Sequence, residues 1–320
     1  MGKILEVKNL KKHFETPKGT LHAVDGLDFS INKGETLGIV GESGCGKSTL
    51  GRVILHLLDS TEGEIIYNGE NITSVDKQKF RELRKEMQII FQDPFSSLNP
   101  RMTVSEIIKE PLLIHKTIKD KAEIDKKVSQ LMDTVGLVDR LVNSYPHELD
   151  GGRRQRIGIA RALALNPKFI VADEPVSALD VSIQAQVLNL MQDLQEEFGL
   201  TYMFITHDLS VVKHISDEIL VMYLGKMVEK TNAKDLFKNP LHPYTKALLS
   251  AIPVPSLKKK RERILLKGEI ASPIEPKPGC RFAPRCPYAE DLCRTTDPEI
   301  EEIMPGHFVV CHFAREINKL

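Results

Sequence analysis

The stretch Gly41-Glu42-Ser43-Gly44-Cys45-Gly46-Lys47-Ser48-Thr49 sets a glycine, four residues, Gly-Lys and a hydroxyl directly after the apolar run Thr36–Val40 and before an apolar stretch at residues 50–58. A turn of this spacing lets successive backbone N–H groups curl around phosphate oxygens, and the start of a following helix adds its positive dipole end. Lys47 would neutralise the β- and γ-phosphates of a nucleoside triphosphate, Ser48 would hold Mg²⁺, and Cys45 reads as a small loop residue. A second apolar run, residues 169–172, ends in Asp173-Glu174, at the carboxyl end of a buried strand where open α/β sheets bind ligands. Asp173 can hold Mg²⁺ through water, and Glu174 can polarise the water that attacks the γ-phosphate. Alone, such a pair reads as a strand end facing solvent; the phosphate loop upstream makes it a catalytic pair.

These residues need elements to position them. Residues 4–8 and 27–31 have strand patterning, Thr36–Val40 is a short buried run, and residues 50–58 follow as a helix. Residues 169–172 and 201–205 are further apolar strands, separated by a helical pattern over 183–198. Apolar strands alternating with amphipathic helices predict a largely parallel α/β sheet covered on both faces. Apolar residues three and four apart over 106–115 and 124–135 predict a helical subdomain at about residues 95–160. From residue 252 the composition shifts: Pro253, Pro255, Pro273, Pro276 and Pro278 interrupt regular structure, and residues 258–263 are a charge run that reads as a solvated linker. The division expected is therefore 1–252 and 253–320.

Lys+Arg and Asp+Glu both number 44, so no net field draws the molecule to nucleic acid or an anionic membrane. A membrane span needs roughly 18 consecutive apolar residues, which no stretch supplies, and the first residues lack the apolar core of a secretory signal. The expectation is a cytosolic chain that reaches a membrane only through partners. Five cysteines are present, four of them (Cys280, Cys286, Cys293, Cys311) near the C-terminus; in a reducing compartment such a group reads as a metal site before disulfides.

The order of motifs resembles the ABC ATPase family over roughly residues 3–250. Gln92, in Ile90-Phe91-Gln92-Asp93-Pro94, matches the family's Q-loop glutamine; residues 149–156 sit at the signature; Ser177-Ala178-Leu179-Asp180 matches the D-loop; His207 matches the switch histidine; Phe14 lies where the family stacks an aromatic on adenine. The resemblance implies a P-loop NTPase core with antiparallel β and helical subdomains, plus a small Cys-rich C-terminal extension. It also implies ATP and Mg²⁺ as ligands, with Gln92 touching the metal and sensing the membrane partner. His242-Pro243-Tyr244 and the Cys280–Cys286 stretch resemble ATP-binding subunits of oligopeptide and dipeptide importers, and residues 156–163 resemble the second of their two motor subunits. Implied partners are a second ATPase subunit, two transmembrane permease subunits and an external solute-binding protein, at the cytoplasmic face of the membrane. Nickel, sugars and other solutes remain open as cargo. A soluble ABC ATPase acting on DNA or ribosomes would need a coiled-coil insertion or tandem ATPase halves, which the sequence lacks, and a non-catalytic ATP binder has no need of Glu174.

The family signature begins Leu-Ser-Gly-Gly-Gln, whereas this chain reads Leu149-Asp150-Gly151-Gly152-Arg153. The family's subunits dimerise head to tail, and the consensus serine donates to the γ-phosphate across the interface. An ionised Asp150 has no proton to donate and sets a like charge beside phosphate. Arg153 could offset that charge by pairing with Asp150 or by contacting phosphate. An asymmetric heterodimer is the expectation, with a tolerated variant as the alternative. The four C-terminal cysteines suit either an iron–sulfur cluster or Zn²⁺, since their spacing matches neither a ferredoxin run nor a zinc ribbon. The resemblance implies a [4Fe–4S] cluster; His307 and His312 are candidate substitute ligands, and free or disulfide-linked cysteines are a third reading.

Overall fold

The run Phe169–Asp173 is buried at every residue and forms the middle of three parallel strands, as a strand covered on both faces must. The computed structural model describes residues 2–252, 263–266, 268 and 272–320, and the chain divides into two units.

The first unit comprises Met1–Ile4, Asn32–Glu35 and Ser74–Ile205. Met87–Ile90 and Thr201–Thr206 flank Phe169–Asp173, in register Met87 to Phe169 and Phe169 to Thr201. Its helices begin at caps the sequence supplies. The Thr103 hydroxyl accepts from the Glu106 N–H while the Glu106 carboxylate accepts from the Thr103 N–H, opening Val104–His115. The Asp120 carboxylate accepts from the Ala122 N–H ahead of Lys121–Thr134. The helices read at 106–115 and 124–135 are thus present, each starting earlier, at its cap. They pack on each other and on Gly151–Leu163, with Ile108, Met132 and Ile159 buried; each such side chain stabilises by about 1.5–3 kcal/mol. Arginines of Gly151–Leu163 tie down the loops around it. Arg154 Nε donates to Pro146 O and its guanidinium lies 3.5 Å from the Phe95 ring centroid; Arg161 Nη1 donates to Ser97 O at 2.6 Å.

The second unit comprises Leu5–Ile31, Thr36–Thr73 and Thr206–Leu320. Thr36–Val40, buried throughout, pairs in parallel with Glu218–Tyr223. Lys226–Asn232, His307–Val310 and Ile300–Met304 extend that sheet antiparallel in this order. A second sheet orders Gly19–Asn32, Lys3–Thr16, Glu62–Tyr67 and Glu70–Asn71. Its strands run well beyond the segments 4–8 and 27–31.

Two local expectations are corrected. The helix expected at residues 50–58 is Lys47–Ile54. It starts as soon as Gly46 turns the chain, and it stops where the Leu57 and Leu58 N–H groups both donate to Arg52 O and His56 takes a φ of 50°. Regular structure also returns after the proline-rich stretch. Pro305 and Gly306, the latter at φ 73°, turn a hairpin whose strands join the sheet through Glu229 opposite Val309. Leu241, Ile303, Val309 and Ala314 close a small core beneath it. Of the charge run at 258–263 all but Arg263, together with Pro253 and Pro255, lie outside the described residues. Among the described residues, no helix is long and apolar enough to cross a membrane.

Candidate nucleotide site

Strand Thr36–Val40 ends where Gly41 begins the loop, and helix Lys47–Ile54 starts after Gly46, so the chain reverses within a few residues. A Cβ at Gly41 would lie 2.2 Å from Met222 O, and one at Gly46, at φ 100°, 1.9 Å from Ala23 O. Both positions admit glycine alone. The helix has no side-chain cap and no acidic residue in its first turn, which leaves its N–H groups and dipole suited to an anion. Lys47 is 3% exposed, and its ammonium donates to Gly41 O at 2.8 Å and Glu42 O at 3.0 Å, so the charge is held within the loop. Ser43 and Gly44 are exposed at the loop's crown, while Ser48 and Thr49 are half-buried in the first helical turn. Cys45 is buried, and burial raises its thiol pKa against the opposing pull of Lys47, which makes it an inert packing residue.

In the first unit, Asp173 is the last residue of its strand and is buried. Glu174 follows at φ 48°, a left-handed conformation that costs a non-glycine residue about 1 kcal/mol or more. Three hydrogen bonds hold it there. The Glu174 N–H donates to Ile205 O at 2.8 Å, and the Ser177 N–H and hydroxyl donate to Glu174 O at 3.3 and 3.1 Å. Gln92 Nε2 donates to Glu174 Oε2 at 2.9 Å, so the two residues meet as one polar pair. A strained carboxylate braced on its backbone and oriented by an amide is an arrangement suited to aligning a water.

At the signature, Asp150 caps helix Gly151–Leu163. Its Oδ1 accepts from the Arg153 N–H at 2.8 Å, and Oδ2 lies 3.5 Å from Arg153 Nη1. Arg153 thus makes the contact with Asp150 that one of its two readings named. Both side chains are exposed, so water screens the pair and it adds little stability. A Cβ at Gly152 would meet Ile183 Cγ2 at 2.7 Å, and one at Gly151 would meet Leu179 Cδ2 at 3.1 Å. The glycine pair thus lets the signature lie against the segment 177–183.

Residues 24–177 match the family model described as ABC transporter, and residues 228–293 match that for the C-terminal region of oligopeptide/dipeptide transporters. The oligopeptide transport ATP-binding protein AppF of Bacillus subtilis is 56% identical over 319 residues, covering 97% of each chain. The chain belongs to the ABC transporter ATPases. The oligopeptide transport ATP-binding protein OppF of the same organism is likewise 56% identical, over 97% of this chain and 96% of its own. Among solved structures, the ATP-binding cassette MJ0796, dimeric and bound to ADP and Pi, aligns with TM-score 0.66 at 30% identity over 72% of this chain and 98% of its own. CbiO1 of Clostridium perfringens, part of an ABC transporter complex, aligns with TM-score 0.67 at 29% identity over 75% of this chain and 92% of its own.

Two further residues of the ABC motif set lie in the second unit. His207 is exposed between strand Thr201–Thr206 and helix Leu209–Ile215, at a turn closed by the Asp208 N–H donating to the Thr206 hydroxyl at 3.1 Å. Phe14 is half-buried, with the Lys12 ammonium 4.8 Å from its ring centroid. Beside it in sequence, His13 and His22 stack at 3.8 Å and both contact Asp25, at 3.1 and 3.3 Å. Among the described residues this is the one trio of ligand-type atoms within 4.8 Å of one another. Arg281 also pairs with Asp25. Burial alone would raise the Asp25 pKa, but the guanidinium and the two imidazoles hold it low, and a metal dication there would face a buried guanidinium.

The four C-terminal cysteines form no disulfide and lie close enough to act on one another electrostatically. Burial pushes the Cys280 and Cys311 pKa values up to about 11, with the neighbouring cysteines adding to the rise. Backbone N–H groups of Phe282 and Ala283 point at the Cys280 sulfur, that of Tyr288 at Cys286, and that of Phe313 at Cys311. Such N–H···S donors stabilise thiolates bound to metal. No three of these sulfurs lie within 4.8 Å of one another, whereas a single tetrahedral Zn²⁺ holds its sulfurs about 3.8 Å apart. The thiols and their N–H donors are of the kind that an iron–sulfur cluster or Zn²⁺ uses. His307 is committed elsewhere: its Nε2 meets buried Glu229 at 2.7 Å. His312 Nε2 meets Thr296 O at 2.9 Å.

Proposed function

We propose that the chain is the ATP-hydrolysing motor subunit of an importer for di- or oligopeptides. The observation that carries this reading is the Gln92–Glu174 pair, with Glu174 held in a strained conformation, on a chain whose full-length relatives are named as oligopeptide transport proteins. Lys47 and the Gly41–Thr49 loop take the phosphates of ATP; Ser48, Gln92 and Asp173 hold Mg²⁺, the last through water. Glu174 orients the attacking water, His207 stabilises charge developing on the γ-phosphate, and Phe14 stacks on adenine. The chemistry is positioning and charge stabilisation.

The subunit works head to tail with a second ATPase subunit, beneath two permease subunits fed by an external solute-binding protein, at the cytoplasmic face of the membrane and without nucleic acid. Phe95, Leu113 and Ile114, large apolar residues exposed on the first unit, suit contact with the permeases. Asp150, Gly151 and Gly152 serve the partner's nucleotide, and the carboxylate in place of a hydroxyl weakens that site relative to the one built on Lys47 and Glu174. Cys280, Cys286, Cys293 and Cys311 would hold a [4Fe–4S] cluster, which supplies a cross-link for a segment with little core of its own. The test is uptake of labelled peptides by vesicles carrying the assembled transporter. ATP-dependent uptake lost in Glu174→Gln supports the reading; uptake of nickel or a sugar in place of peptides overturns the cargo assignment.

A further inference from the structure

The phosphate-binding loop is gripped from the C-terminal part of the chain. Arg285 Nη1 and Nη2 donate to the two carboxylate oxygens of Glu42 at 2.7 and 3.1 Å, and the Arg285 side chain is 9% exposed. The Tyr244 hydroxyl accepts from the Glu42 N–H at 2.9 Å. Glu42 is thus held by its side chain and its backbone at once. Its carbonyl and that of Gly41 are the two that accept from Lys47, so the position of Glu42 sets where the lysine ammonium sits.

Both gripping residues are themselves anchored. Tyr244 opens helix Pro243–Ser250, and its N–H donates to His242 Nδ1 at 3.1 Å. The Leu241 and His242 N–H groups donate to the buried Glu229 carboxylate at 2.7 and 3.0 Å, and His307 Nε2 meets the same carboxylate. Tyr244, Tyr223 and Phe282 form an aromatic cluster with ring centroids 4.8–5.4 Å apart. Arg285 lies one residue before Cys286, and Arg281, one after Cys280, donates to Leu224 O and pairs with Asp25.

We propose that Arg285 and Tyr244 are positioning residues for nucleotide binding: the cysteine-bearing segment and the His-Pro-Tyr helix clamp Glu42 and thereby pre-form the phosphate loop around Lys47. The proposal rests on the reading of this loop as the ATP site. A charge-assisted bidentate pair and a hydroxyl on the same residue remove conformations of the loop in which Lys47 is misplaced, and affinity falls by the fraction of loop that is no longer competent. ATP and ADP share the β-phosphate, so both lose affinity together.

The test uses the full-length chain, with ATP and ADP dissociation constants measured by calorimetry and turnover measured in the assembled transporter. Arg285→Gln is expected to bind both nucleotides about tenfold more weakly, and Tyr244→Phe several-fold, with KM raised and kcat within about twofold of the parent. The charge exchange Glu42→Arg with Arg285→Glu recovers affinity that each single reversal loses, a rescue that a merely structural role would not produce. Parent-like dissociation constants in both Arg285→Gln and Tyr244→Phe overturn the clamp, as does an exchange no better than the single reversals. Should Arg285→Gln fail to fold, Tyr244→Phe decides alone, since it removes one oxygen from an otherwise packed ring. Failure of the parent chain to bind ATP would instead sink the reading of the loop itself.

Discussion

Acidification should loosen the His-Pro-Tyr segment through one residue, His242. Its side chain is buried, and burial lowers its pKa from 6.5 to about 4, with the Glu229 carboxylate opposing the shift. The fold therefore accepts the neutral imidazole, whose Nδ1 must stay unprotonated to receive the Tyr244 N–H. The unfolded chain binds a proton at pH values where the folded chain does not, so this stabilisation is complete above about pH 6.5, falls as the pH drops, and is exhausted near pH 4. At about 1.4 kcal/mol per pKa unit the whole effect is about 3 kcal/mol, of which about 2 kcal/mol is lost by pH 5. His242→Asn keeps an acceptor at the helix cap and removes the titration. Urea unfolding of the full chain at pH 7.5 and 5.0 should show the parent losing about 2 kcal/mol more than His242→Asn. Parallel losses in the two proteins would refute the assignment, because the remaining titratable groups are common to both.

Gly46→Ala should reduce ATP affinity at least about a hundredfold in a binding titration, since the new methyl meets Ala23 O at 1.9 Å and the residue must keep a φ of 100°; unchanged affinity would show that the loop relaxes without consequence. Glu174→Gln should cut transporter turnover by more than about a hundredfold and leave ATP binding intact, and the equivalent change in the partner subunit should be milder; equal damage would exclude unequal sites. Asp150→Ser retains a helix cap and removes the carboxylate, so turnover should rise several-fold, about the net worth of one ordinary hydrogen bond; no change would mean that the Arg153 pair already neutralises the charge. Anaerobically purified protein should absorb in the visible range and carry about four iron and four sulfide per chain, lost in Cys286→Ser; a colourless, zinc-loaded chain would exclude the cluster.

The loop Gly41–Thr49 was legible because it is a short contiguous motif with a local cause. Gly41 and Gly46 are specified by a turn that must pass within contact distance of Met222 O and Ala23 O, where a side chain does not fit. The apolar run at 169–172 was equally plain, since unbroken apolar residues that end in carboxylates suit a covered parallel strand. Helix Lys47–Ile54 was misplaced for a related reason: periodicity runs on through Leu55–Leu58, but the Arg52 carbonyl takes two N–H donors and the chain turns away. The hairpin at Pro305-Gly306 was not read from the sequence, although Pro-Gly between segments 300–304 and 307–310 is a turn signal.

What the sequence could not reveal are the partners across long separations. Glu42 and Arg285 are 243 residues apart, and Glu229 and His307 are 78. No periodicity or spacing rule links such positions, because tertiary packing alone brings them together. Glu42 read from the sequence was one of the variable residues inside a phosphate loop, a place where almost any side chain is admitted. Its bidentate arginine changes that reading: the loop's backbone is specified by its glycines, but its resting position is set by a residue beside Cys286. The His-Pro-Tyr motif gains a physical reason in the same way. Proline starts the helix, histidine caps it on a buried carboxylate, and tyrosine delivers a hydroxyl to the Glu42 N–H. A stretch recognisable only as a family mark thus has the geometry of a strut, running from the sheet at Glu229 to the loop that holds Lys47.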